Sequence, residues 1–144
     1  MNGHRVSYAA VIVAAVAHFI LGAVWFTILS KPWLAGIGKT REELMRTGSP
    51  TLAYVVAFVS NLVMASVLAW LISATGRPTV ARGALLGALV GLGFVATTMG
   101  TAFVFEARSL EGFAITAGYP LAGLLIMGAI VGGWTKKPPT RSPA

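Results

Sequence analysis

The sequence predicts an all-α integral membrane protein, built as a bundle of four transmembrane helices. Of its 144 residues, 56% are hydrophobic and only 10% are charged, and the mean hydropathy is +0.80. A soluble domain carries about 25% charged residues, so this chain lacks the polar side chains that cover a water-facing surface. The apolar residues form four blocks, and each is long enough to cross a bilayer as a helix of roughly 20 residues.

Helix is expected in all four blocks because backbone groups in lipid must be satisfied within their own segment. The predicted spans cover residues 8–29, 51–75, 83–105 and 112–134. We expect the first span to be retained in the mature protein, since its apolar run exceeds the roughly 7–15 residues that are usual in a signal peptide.

The connections and the tail predict further local structure. The run Thr40-Arg41-Glu42-Glu43 has the capping-box pattern, which predicts the start of a short helix. Lys31-Pro32-Trp33 predicts an elbow at the membrane surface, with the Trp33 ring among the headgroups. We expect one domain over residues 1–135 and a disordered, basic and proline-rich tail over residues 136–144.

Residues that carry chemistry are scarce. The sequence has no cysteine and no aspartate, and it has only four glutamates and two histidines. A thiol nucleophile and a Cys-ligated metal site are therefore excluded, and we expect no enzyme activity, no cofactor and no metal. The net charge of +7 could suggest nucleic acid as a partner. The basic residues lie in loops and tails between the apolar blocks, so the expected partner is the lipid bilayer.

The distribution of Lys and Arg predicts which way the chain crosses the membrane. Four spans place both termini on one side, together with six basic residues: Arg5, Arg77, Arg82, Lys136, Lys137 and Arg141. The opposite side has five: Lys31, Lys39, Arg41, Arg46 and Arg108. The positive-inside rule therefore favours cytoplasmic termini in a bacterial inner membrane. The margin is narrow, so insertion in both orientations stays open.

Small residues recur at every fourth position along the spans. The residues that we expect to pack helix against helix are Ala57, Ala65, Gly83, Gly87, Gly91, Gly128 and Gly132. Such ridges let helix backbones approach closely, either inside one bundle or between copies of the chain. We expect a homo-oligomer, most simply a dimer, because a bundle this small does not bury every ridge at once. Another protein partner stays open.

His18 and Asn61 each replace a small residue on such a ridge, near the middle of a span. Polar groups at that depth are costly and face other helices rather than lipid. One hypothesis is that the two side chains hydrogen-bond each other, which stabilises helix pairs by roughly 0.6–2 kcal/mol. The alternative is a site that handles a proton or a small solute, since histidine titrates near neutral pH.

A second group of polar residues lies toward the other end of the third and fourth spans. Its members are Thr97, Thr98, Thr101, Glu106, Thr116 and Tyr119. Hydroxyl groups beside an acid are compatible with a pocket for a small solute or an ion. Equally, each threonine can donate to the carbonyl four residues earlier in its own helix.

Three stretches of the chain resemble one bacterial family. They are Leu21–Phe26 with Lys31–Trp33, Phe103–Arg108 with Ala117–Tyr119, and Met127–Trp134. Together they resemble the family called "domain of unknown function 1761", over about residues 8–134. The resemblance implies a small four-helix membrane protein of bacteria and brings no activity or site residues with it. Phe26 and Phe103 stand where we expect Tyr in this family, and Ala107 where we expect Gly.

The expected function is that of a small integral membrane protein with a packing or partner-binding role in an oligomer. The small-residue ridges support it, and so does the lack of a catalytic set. The alternative is a transporter or channel for a small solute or ion that uses the intramembrane polar residues.

Overall fold

The computed structural model describes residues 6–134, where all regular structure is helical. The helices are α1 (Tyr8–Ile28), α2 (Ser30–Ile37), α3 (Arg41–Thr47), α4 (Pro50–Ala74), α5 (Val80–Phe105) and α6 (Leu110–Gly133). Four of them, α1, α4, α5 and α6, are long and apolar enough to cross a membrane. The all-α fold with four candidate spans is confirmed, and these helices indicate a multi-pass membrane protein. The predicted tail lies outside the described residues.

Each long helix begins at a hydroxyl side chain. The caps are Ser7, Ser49, Thr79 and Ser109, and each accepts a hydrogen bond from the backbone N–H three residues later. Such a cap satisfies one of the amide donors that the first helical turn leaves free. Thr79 also explains why α5 begins three residues before the predicted start, with Arg82 in its first turn.

The predicted short helix is α3, and its capping box is complete. The Glu43 N–H donates to the Thr40 hydroxyl oxygen at 3.2 Å, and the Thr40 N–H donates to the Glu43 carboxylate at 2.9 Å. The bond from the Thr40 backbone holds the pKa of the Glu43 carboxyl below its usual value, because it favours the ionised form.

The segment before α3 is a helix, α2, rather than the predicted elbow. Pro32 and Trp33 lie inside it, and Gly38 ends it in the left-handed conformation at φ +67°. α2 packs against the start of α6, where Gly36 and Gly112 meet backbone to backbone. A Cβ atom on Gly36 would overlap the Gly112 Cα, so this contact depends on both glycines.

α6 is the central helix, and it packs against α1, α2, α4 and α5. Its closest neighbour is α5: a Cβ atom on Gly83 would overlap the Gly128 carbonyl oxygen, and one on Gly87 would overlap the Leu124 carbonyl oxygen. The ridge predicted for the third span is therefore used inside the chain. The other predicted packing residues Ala65, Gly91 and Gly132 are also buried, whereas Ala57 is half-buried.

α5 contains one π-helical stretch, Gly91–Ala96. A π-turn adds a residue to a helical turn and shifts the face that follows it. Before the stretch, glycines at four-residue spacing face α6, and after it Gly100 and Phe103 contact Phe113 of α6. Periodicity in the sequence did not predict this shift, because the residues remain uniformly apolar through it.

A polar centre inside the helix bundle

The structure brings His18 of α1, Asn61 of α4 and Tyr119 of α6 together near the middle of the bundle. His18 is 1% exposed and Asn61 is 3% exposed, and they are the buried polar side chains among the described residues. The His18 and Tyr119 rings lie 4.6 Å apart between centroids. The amide group of Asn61 is next to the Tyr119 hydroxyl. We call these three residues the polar centre.

Two glycines make room for the two rings. The His18 imidazole lies directly on Gly123 of α6, where a Cβ atom would overlap the ring at Nε2. Tyr119 lies on Gly22 of α1, where a Cβ atom would come within 2.8 Å of the tyrosine hydroxyl oxygen. Each helix therefore supplies one ring and one glycine, and the ring of each fits onto the glycine of the other.

Sequence reasoning missed Gly22 and Gly123 as part of the site, although a signal was present. His18 and Gly22 are four residues apart, and so are Tyr119 and Gly123. Residues four apart share a helix face, and α1 and α6 run antiparallel. His18 of α1 therefore meets Gly123 of α6, and Tyr119 of α6 meets Gly22 of α1. The pairing needed the register of the two helices, which the sequence alone does not provide.

Three polar atoms of this centre have no hydrogen-bond partner in the described part of the chain. They are Nδ1 and Nε2 of His18 and Nδ2 of Asn61. The hydrogen bond between His18 and Asn61 that the sequence left as one hypothesis is therefore not formed. The Tyr119 hydroxyl donates to the His18 backbone carbonyl at 3.4 Å, which leaves the imidazole nitrogens free.

Aromatic rings connect the polar centre to α2. Tyr119 packs against Phe26 with 5.2 Å between ring centroids, and Phe26 packs against Trp33 of α2 at 5.1 Å. Beside them, the Trp25 indole N–H donates to the Ile115 carbonyl at 2.9 Å and ties α1 to α6. The rings thus form one continuous row from the middle of α1 to the surface helix α2.

The threonines of the second predicted group are arranged differently. Thr97, Thr98 and Thr101 are exposed, and each hydroxyl donates to a carbonyl one turn earlier in α5. Thr116 does the same within α6, donating to the Gly112 carbonyl at 2.7 Å. Their hydroxyl hydrogens are bonded within their own helices. This agrees with the expectation that each threonine donates to the carbonyl one turn earlier.

Glu106 lies in the loop between α5 and α6 and forms an ion pair with Arg108. Both side chains are exposed, at 51% and 36%, so the pair lies at the surface end of the bundle. Tyr119, which the sequence placed with the threonines and Glu106, has its ring packed against His18 and Phe26 instead.

A groove of about 180 Å³ opens between α4 and α5. Its walls are apolar side chains, including Val63, Met64, Val67, Leu71, Val90 and Val95. It offers no polar group to a solute, so it is separate in chemistry from the polar centre. Over residues 6–134, no three His, Cys, Asp or Glu side chains are grouped so that they could hold a metal ion.

A family model described as "Protein of unknown function (DUF1761)" matches residues 9–132. The chain belongs to this family. The resemblance seen in the sequence is thereby confirmed over nearly the same residues. No curated protein and no solved structure matches the chain significantly.

Proposed function

We propose that this protein moves a small solute across the membrane by way of the polar centre of His18, Asn61 and Tyr119. One observation carries the proposal: His18 and Asn61 are almost fully buried, yet three of their nitrogen atoms have no partner among the described residues. An unsatisfied polar group away from water costs several kcal/mol by transfer estimates. Polar side chains that are retained at such depth mark solute or proton pathways.

The packing role that the sequence favoured has lost part of its support. It rested on small-residue ridges along every span, and the α5 and α6 ridges contact each other within one chain. The polar centre has no such internal explanation, because its nitrogen atoms stay unpaired. The alternative drawn from the sequence, a transporter or channel, therefore has the stronger support. No catalytic step belongs to the proposal.

Flux measurements on reconstituted protein test it. Asn61→Leu replaces the amide by an apolar side chain of similar size, and we expect it to lower solute flux about tenfold, equivalent to losing one hydrogen bond of about 1.4 kcal/mol. Ser66→Ala is the matched control on the same helix, because the Ser66 hydroxyl is exposed and donates to the Leu62 carbonyl. Equal flux through wild type and Asn61→Leu would contradict the proposal, and so would the absence of any flux.

A homo-oligomer is a second proposal, supported by the outer faces of α4 and α5. Ala53 is exposed, and Gly93 has no heavy atom within 4 Å of a Cβ position. Small exposed residues let a second helix approach closely. We expect a dimer in detergent, and we expect Gly93→Leu to shift it to monomer without unfolding the chain. Analytical ultracentrifugation of both proteins measures this, and a monomeric wild type at every concentration would exclude it.

For its location, we propose a bacterial inner membrane with both termini in the cytoplasm. The support is the count of basic residues on the two sides, six against five.

A further inference from the structure

We infer that the solute of the polar centre is a small uncharged molecule with both a hydrogen-bond acceptor and a donor, such as an amide or a polyol. The inference rests on the proposed function and names its substrate class. Its three supports are the hydrogen bonds that the centre leaves unmade, the absence of charged side chains beside it in the described helices and the close packing of its rings on two glycines.

The unpaired atoms of the centre are mostly donors. A neutral imidazole has one N–H donor and one nitrogen acceptor, and an amide nitrogen has two N–H donors. His18 leaves one donor and one acceptor unused, and Asn61, whose amide lies next to the Tyr119 hydroxyl, leaves at least one further donor unused. A carbonyl or hydroxyl oxygen satisfies the donors, and an N–H or O–H of the same solute satisfies the acceptor.

The four long helices bring no charged side chain to the centre, and Lys31 of α2 is exposed. Across the four spans, as far as the structure describes them, the charged residues are Arg82 and Glu111, and each lies in the first turn of its helix. An ion at the centre would lose its hydration without meeting an opposite charge, which is strongly unfavourable in a low-dielectric interior. An uncharged solute does not meet this barrier.

The side of the centre that faces α2 has the same character. Tyr119, Phe26 and Trp33 pack there ring against ring, and they offer apolar surface rather than ionised groups.

The close packing at the two glycines favours a small solute. The rings of His18 and Tyr119 fill the space over Gly123 and Gly22. A solute that reaches the unpaired nitrogen atoms has to displace neighbouring side chains, and this displacement is smallest for a molecule of a few heavy atoms, such as formamide, urea or glycerol. A larger polar solute would have to displace a ring from its glycine.

Stopped-flow light scattering on proteoliposomes tests the inference with formamide, urea and glycerol, and ion-selective electrodes follow K⁺ and Cl⁻ on the same vesicles. We expect wild type to speed the entry of at least one uncharged solute about tenfold over empty vesicles and to leave both ion traces unchanged. Asn61→Leu should abolish the acceleration, Tyr119→Phe should reduce it and Ser66→Ala should retain it. Gel filtration and circular dichroism of each variant check that it is folded.

The outcomes of this experiment distinguish the inference from the proposed function. Ion flux that depends on Asn61, without entry of uncharged solutes, overturns the inference and leaves the proposed function standing. No flux of any solute through wild type overturns both. The selectivity of wild type between uncharged solutes and ions tests the inference even if Asn61→Leu does not fold.

Discussion

α6 makes two glycine-rich contacts, one with α5 and one with α1, and they are built on different principles. Against α5, Gly128 faces Gly83 so closely that backbone meets backbone. Against α1, Gly123 faces the imidazole of His18 and Gly22 faces the ring of Tyr119. In the first contact, glycine on both helices leaves no side chain between the two backbones. In the second contact glycine makes room for a ring from the other helix.

The difference matters because a side chain can move and a backbone in a helix cannot. Backbones in close contact gain dispersion energy along the whole interface, which is the main attraction between helices in lipid. Rings on glycines instead carry polar atoms into the bundle, and both ring nitrogens of His18 remain unpaired. The α5–α6 contact therefore serves stability, and the α1–α6 contact holds the groups from which we infer function.

The largest expected effect comes from breaking the backbone contact. Gly83→Ala places a Cβ atom on the Gly128 carbonyl oxygen, so the two helices must separate. We expect the free energy of unfolding to fall by about 3 kcal/mol, the upper end for overpacking. Titration with SDS in mixed micelles measures it.

Gly100→Ala is the control on the same helix, since its Cβ would lie 3.5 Å from the Phe113 ring, an ordinary van der Waals distance. Its effect should stay within about 1 kcal/mol, the range of helix propensity between glycine and alanine. Similar losses for both variants would mean that close packing of α5 on α6 is not what stabilises the chain.

A smaller effect is expected at the ring contact. Gly123→Ala collides with the His18 ring, and we expect a loss of about 1–2 kcal/mol because the imidazole shifts where a backbone does not. Combined with His18→Ala, the same substitution should cost less, since the new methyl then occupies space that the ring has left. A double-mutant cycle on unfolding free energies gives the coupling, and additive effects would show that the two residues do not touch.

The smallest expected effect concerns the hydrogen bond beside the rings. Trp25→Phe removes the indole N–H that donates to the Ile115 carbonyl. Side-chain hydrogen bonds in membrane bundles contribute about 0.6 kcal/mol on average, and we expect a loss of that order. Trp70→Phe is the control, because Trp70 is 62% exposed on α4. If Trp70→Phe costs as much in the SDS titration, the bond to Ile115 contributes nothing measurable.

Much of the fold was predictable because it depends on local rules. The long apolar blocks require helix in lipid, and the Thr40–Glu43 pattern specified the capping box that the structure contains. The burial of His18 and Asn61 also followed from sequence, since each lies on a ridge of small residues. The partners of Tyr119 did not follow, because they depend on the register between α1 and α6.

By itself, the sequence determined that the chain is an all-helical protein with four apolar spans, and it pointed to the family. Composition and helical periodicity are properties of a few consecutive turns, so they can be recognised in the sequence without the tertiary structure. Only the tertiary structure decided that the α5 ridge packs on α6, that the threonines bond their own helices and that Tyr119 joins His18 and Asn61. Those outcomes depend on which helix faces meet. In lipid all faces are similarly apolar, so the pairing of faces is determined by whether the glycines of two helices lie opposite each other, which depends on both helices at once.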